Sequence, residues 1–121
     1  MTGVIAAVDD LFFGAKIAET AVRLNVPLVF VRSFEALDEK LHADAPALVI
    51  FDLNAEGYRP LEAIRRLKAD PDLKDTAVLG FCSHVQQDLK AAAVEAGCGR
   101  VMARSAFTAQ LPEILRPYAT N

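Results

Sequence analysis

Val4-Ile5-Ala6-Ala7-Val8-Asp9-Asp10 and Ala47-Leu48-Val49-Ile50-Phe51-Asp52 decide how this chain is read. Each is an apolar run that ends on acid. Buried strands of a parallel sheet read as continuous apolar runs, and their carboxyl ends are where such sheets build sites. If the two strands are neighbours, the carboxylates of Asp9, Asp10 and Asp52 converge on one cleft. Like charges held that close raise one another's pKa unless a cation neutralises them. Oxygen-only ligands of this kind suit Mg²⁺, which accepts one or two carboxylates and keeps several waters. A metal-binding acidic cleft is the first functional expectation.

Working outward, strand-like and helix-like segments alternate. Phe13, Ile17, Ala21 and Leu24 recur at helical spacing, which predicts a helix over Phe12–Leu24, stopped by Asn25 and Pro27. Leu28–Val31 reads as a strand, and Ser33 can cap a helix from Phe34 to about Leu41. Pro46 closes that helix's exit loop, and Ala47–Phe51 is the third strand. After a loop from Leu53 to Arg59, Pro60 suits a first helical position, with Leu61, Ile64 and Leu67 as the apolar stripe. Asp70-Pro71-Asp72 ends that helix. Ala77–Phe81 is a strand, Val85–Ala96 a helix with Gly97 as its left-handed cap, and Arg100–Ala103 a short strand. A last helix is expected from about Thr108 to Arg116, carrying Leu111, Ile114 and Leu115. Alternation of this kind predicts a doubly wound parallel sheet.

Composition narrows the function classes. A chain of 121 residues with 53% hydrophobic content is expected to be one folded domain, residues 1–121, with no output domain. A net charge of −3 argues against a nucleic-acid surface, which needs a basic stripe. Met1-Thr2-Gly3 has no basic character, and no apolar run approaches the ~20 residues that span a bilayer. No membrane partner and a cytoplasmic location are expected. Cys82 and Cys98 lack CxxC spacing and fall at the exit of one strand and the entrance of the next. Strands of about five residues put such positions ~17 Å apart, too far to bridge.

Taken in order, Val8-Asp9-Asp10, Phe51-Asp52-Leu53-Asn54, Phe81-Cys82-Ser83, Ala96-Gly97 and Val101 to Ser105 resemble response-regulator receiver domains. The resemblance covers nearly the whole chain. It implies an α/β, flavodoxin-like five-stranded sheet of order 2-1-3-4-5 with helices on both faces. It also implies that Asp52 accepts a phosphoryl group, that Asp9, Asp10, Asp52 and the Asn54 backbone carbonyl hold Mg²⁺, and that the Ser83 hydroxyl senses the phosphoryl group. A carboxylate can attack phosphorus to form an acyl phosphate, and the transfer needs little beyond in-line positioning and charge neutralisation.

Several positions depart from that pattern. Arg104 and Ser105 stand where the family has a lysine and a cis-proline, and arginine is longer, planar and not interchangeable with lysine. Arg104 is expected to reach back across the cleft and fork onto Asp52 or Asp9. Ala55-Glu56 replaces Met-Pro, so Glu56 adds a fourth acid near the cleft mouth, and His84 narrows access beside Ser83. Val101 takes the place of a swinging aromatic and has little rotamer freedom with which to report a signal.

The residues also admit plainer roles. Asp9 or Asp10 can cap the first helix, and Ser83 with Gln86 makes a plausible capping box. His42 and His84 read as surface side chains. The reading that follows is a stand-alone phosphorelay receiver, fed by a histidine kinase or phosphotransfer protein. It would act on a downstream protein through its fourth-helix, fifth-strand and fifth-helix face. The alternative is a pseudo-receiver that docks a partner whatever its phosphorylation state. An enzyme on the same fold is disfavoured, because Asp9-Asp10-Leu11-Phe12-Phe13-Gly14 is too acidic and bulky to cradle a bare phosphate, and Asn54 breaks the Asp-x-Asp of a haloacid-type phosphatase.

Overall fold

A computed structural model describes residues 3–120. The apolar runs form five parallel strands, β1 (Val4–Ala7), β2 (Leu28–Phe30), β3 (Leu48–Asp52), β4 (Ala77–Cys82) and β5 (Arg100–Ala103), in the order β2-β1-β3-β4-β5. The connecting helices are α1 (Leu11–Leu24), α2 (Phe34–Ala43), α3 (Pro60–Ala69), α4 (Gln87–Ala96) and α5 (Arg104–Leu115). This is the flavodoxin-like arrangement with the expected strand order.

The period-two geometry of a strand splits its side chains between two core layers. Ile5, Ala7, Val49, Phe51 and Val78 face α2, α3 and α4. Val4, Ala6, Leu48, Ile50 and Phe81 face α1 and α5. Three aromatics bind the second layer together, with Phe81 stacked on Phe107 at 4.5 Å and Phe13 tilted against Phe81 at 5.2 Å. Such pairs contribute about 0.5–1.5 kcal/mol beyond their buried area.

Local chemistry explains most element ends. Asn25 terminates α1 and Gly97 terminates α4, both left-handed, with φ of 58° and 113°. Ser33 caps α2 by accepting the Ala36 N–H at 3.0 Å. Gly80 meets a different requirement. A Cβ there would lie 2.9 Å from Leu53 Cδ2, so β4 passes close beneath the residue that follows Asp52.

Two starts differ from the sequence expectation by two residues or more. α5 begins at Arg104 rather than near Thr108, directly after β5. Burial of Phe107 against Phe81 draws that first turn into the helix, and Phe107 extends the Leu111, Ile114 and Leu115 stripe by one turn. α4 begins at Gln87 rather than Val85, because Ser83 to Gln86 closes a separate turn with the Gln86 N–H on the Ser83 carbonyl at 3.1 Å. Among the described residues no helix is long and apolar enough to cross a membrane.

Candidate functional site

The carboxyl ends of β1, β3, β4 and β5 are adjacent, since β1 pairs with β3, β3 with β4 and β4 with β5. Asp52 is the last residue of β3, opposite Phe81 of β4, and is only 6% exposed. Its Oδ1 accepts the Asn54 N–H at 2.9 Å. Burial is the main cause that raises its pKa, opposed by the Asn54 N–H and Arg104 and reinforced by Asp9 and Asp10. Three neighbouring charges therefore act on this buried carboxylate.

Asp9 and Asp10 follow β1 and are exposed, beside a cleft of about 570 Å³ whose walls include Leu11, Phe30, Arg32 and Tyr58. They are not equivalent. Asp10 is the N-cap of α1, its Oδ1 accepting the Phe12 and Phe13 N–H groups at 2.9 and 3.0 Å. The capping role open to either acid therefore belongs to Asp10, while Asp9 bonds to no protein group among the described residues. Among those residues no three His, Cys, Asp or Glu side chains are grouped closely enough to hold a metal ion. Asp9 and Asp10 thus act electrostatically on Asp52 without the three carboxylates forming an assembled ligand set among the described residues. Glu56, exposed on a 3-10 turn over Glu56–Tyr58, does not complete such a set either.

The donor chemistry nevertheless suits a hard cation. Asp52 Oδ2, the Asp9 carboxylate and the Asn54 carbonyl accept no hydrogen bond from the described protein, and all are oxygens.

Arg104 approaches Asp52 from the end of β5, with Nη2 4.0 Å from Oδ1. It is a single long contact and not the expected fork. Its guanidinium lies 6.0 Å from the centre of the Phe13 ring, and its Nε is buried with no hydrogen-bond partner among the described residues.

Ser83 follows β4, its Oγ turned into its own loop, where it accepts the Val85 N–H at a long 3.4 Å. It makes no hydrogen bond to Asp52 among the described residues. Half of the capping box is present, in that Gln86 Oε1 accepts the Ser83 N–H at 2.9 Å. His84 is exposed, and Val101 is partly buried against the α2–α4 layer. His42 lies apart from the site, bonded to the Asp38 carbonyl at 2.8 Å and to Asp70 at 3.2 Å. Cys82 and Cys98 are free and buried, and burial pushes both thiols up.

Two contributors were not singled out in the sequence. Tyr58 is buried and donates its phenol to the Val31 carbonyl at 2.7 Å, tying the segment after Asp52 to the end of β2. Burial raises its pKa, and Asp9 and Asp52 add to the effect. The signal was an aromatic residue in an otherwise polar loop. The other is the side-chain pair Asn54–Gln86, which has no signature in either segment alone.

No protein-family model matches the chain, and no curated protein matches it in sequence. Solved structures do match in fold. A response regulator from Hahella chejuensis superposes with a TM-score of 0.87 at 17% identity, over 99% of this chain and 96% of that one. The phosphorylated cyanobacterial phytochrome response regulator RcpA gives a TM-score of 0.80 at 22% identity, over 96% and 89%. The receiver domain of a sensor histidine kinase from Pseudomonas aeruginosa, with a magnesium ion coordinated in its active-site cleft, gives 0.82 at 14% identity, over 97% and 96%. The chain has the receiver-domain fold.

Proposed function

We propose that this chain, which has the receiver-domain fold, acts in two-component signalling by accepting a phosphoryl group on Asp52. One observation carries the reading. Asp52 is a nearly buried carboxylate at the end of a central strand, with one oxygen tied to the Asn54 N–H and the other free of donors among the described residues. Free Oδ2 is the nucleophile. It attacks phosphorus in line, a P–O bond to Asp52 forms, and the P–N bond of a donor phosphohistidine breaks with its electron pair leaving on the imidazole. The donor is a histidine kinase or phosphotransfer protein, or a small acyl phosphate in the test tube.

A divalent cation such as Mg²⁺ would be held by Asp9, Asp52 and the Asn54 carbonyl, with Asp10 contributing through Oδ2, and would supply charge neutralisation at the phosphoryl oxygens. Arg104 adds a second positive charge from the β5 side. Ser83 is the hydroxyl on the neighbouring strand end that can donate to a phosphoryl oxygen once it turns from Val85. The chain works in this reading as a cytoplasmic signalling module rather than a turnover enzyme. Its downstream partner meets the face built from α4, β5 and α5.

A second reading, a phosphorylation-independent docking module, is favoured by three features. Asp10 is committed to its cap, the Ser83 hydroxyl faces its own loop, and Val101 stands where a mobile aromatic would report the change. Incubation with acetyl phosphate and Mg²⁺, read by intact mass, separates the two. We expect wild-type protein to gain one phosphoryl group and Asp52→Asn to gain none. A wild-type mass that does not change under conditions that label a control receiver leaves the docking module.

A further inference from the structure

We infer that Gln86 is a positioning residue, one that couples the state of Asp52 to the Ser83 segment through an amide clasp with Asn54. The inference rests on the phosphoacceptor reading of Asp52.

Gln86 joins the segments that follow β3 and β4. Its Oε1 accepts both the Ser83 N–H and the Asn54 Nδ2 at 2.9 Å, and its Nε2 donates to Asn54 Oδ1 at 2.9 Å. Asn54 in turn gives its backbone N–H to Asp52 Oδ1 at 2.9 Å. Hydrogen bonds joined through the Asn54 residue itself therefore lead from the acceptor carboxylate to the backbone of the sensing serine. The amide orientations are mutually determined. The Ser83 N–H requires an acceptor, so Oε1 must face it, and Nε2 is then left facing the Asn54 carbonyl oxygen.

The clasp fixes the resting geometry of the Ser83–Gln86 turn, which is also closed by the Gln86 N–H on the Ser83 carbonyl at 3.1 Å. Within that turn the Ser83 hydroxyl has only the Val85 N–H at 3.4 Å, a weak bond that is easily given up. What restrains Ser83 from turning toward Asp52 is its backbone, and Gln86 holds that backbone. Phosphorylation on Oδ2 leaves Oδ1 a neutral carbonyl oxygen and a weaker acceptor for the Asn54 N–H, which loosens the clasp and releases the turn. Val85, 69% exposed at the tip of the turn, travels with it. Transmission by this route does not need an aromatic at position 101, so it suits a chain that carries Val101 there.

Gln86→Met keeps the length of the side chain and removes all three bonds. Native-state amide exchange should show the Ser83 N–H exchanging about tenfold faster in that variant, the loss expected for one partly buried hydrogen bond. Labelling of Asp52 by acetyl phosphate should rise about threefold, since Ser83 no longer waits for the clasp to open. In a Ser83→Ala background the Gln86→Met gain should vanish, whereas a merely structural role for Gln86 would change labelling equally in both backgrounds. Gln86→Glu keeps the acceptor for Ser83 and Asn54 Nδ2 but loses the donor to Asn54 Oδ1, and should fall between wild type and Gln86→Met. Unchanged Ser83 exchange in Gln86→Met, or a labelling gain that survives Ser83→Ala, overturns the inference while leaving Asp52 as acceptor. Failure of wild type and every variant to label overturns the acceptor reading and the inference with it.

Discussion

The two flanks of Asp52 are built in opposite ways. On the β1 side, Asp9 and Asp10 are exposed, and the hydrogen bonds of the Asp10 cap reach only two and three residues along the chain. On the β4 and β5 side, the contacts join segments far apart in sequence. Asn54 and Gln86 are 32 residues apart, and Arg104 reaches Asp52 from the start of α5. The first flank is a charge store that local sequence assembles. The second is a set of cross-links that exists only when the strands are in register.

The largest test breaks the second flank from below. Phe107 is fully buried and stacked on Phe81, and Phe81 lies two residues before Ser83. Phe107→Ala should cost about 3–5 kcal/mol in chemical denaturation, through lost burial and the cavity left behind. It should also release the first turn of α5 and with it Arg104. A loss below about 1 kcal/mol would mean that α5 docks without this anchor.

The asymmetry of the first flank is open to a paired measurement. Asp10→Ala removes an N-cap and should cost about 1 kcal/mol of stability in the absence of metal. Asp9→Ala has no bond to lose and should stay within about 0.5 kcal/mol of wild type. With Mg²⁺ added the order should change, because the stabilisation by bound metal depends on the acids that hold it. Equal costs for the two variants without metal would show that the cap is not what distinguishes them.

Asp52 itself joins the two flanks, and its pH dependence has a definite sign. Its folded-state pKa is raised, first by burial, so the fold favours the neutral carboxyl. Its contribution to stability is full below the ordinary carboxylate range and is lost as pH rises through the raised value. Asp52→Asn should therefore stabilise the metal-free protein at pH 7, by up to about 1 kcal/mol or a few degrees of melting temperature. The gain should shrink toward acidic pH. A gain that is constant from acid to neutral pH would assign it to something other than charge.

The smallest effect belongs to a control outside both flanks. His42 links α2 to Asp70 at the end of α3, and its pKa is raised by the Asp38 carbonyl and then by Asp70. The bridge is present at acidic pH and lost as pH rises through the raised His42 pKa. Asp70→Asn should move the His42 imidazole titration, followed by NMR, back toward its ordinary value while leaving Asp52 labelling unchanged. A change in labelling would reveal coupling between this surface pair and the site.

Much of this architecture is legible one segment at a time. The apolar runs from Val4 and Ala47, the stops at Asn25 and Gly97, and Pro60 at a helix start all act through propensities that span a few residues. Placement of Asp9, Asp10, Asp52 and Ser83 at one end of the sheet follows from the same local signals, because every strand of a parallel sheet points the same way. Tertiary structure decided the rest. Which of two adjacent acids caps α1 depended on how the chain leaves β1, and the first turn of α5 depended on a ring from β4. That Arg104 meets Asp52 in one long contact and not a fork was decided by the placement of the two residues in the fold. The Asn54–Gln86 clasp depended on two loops brought side by side by strand pairing. Short-range preferences are written into neighbouring residues, but hydrogen bonds between distant side chains are fixed by ångström-scale placement, which only the packed core supplies.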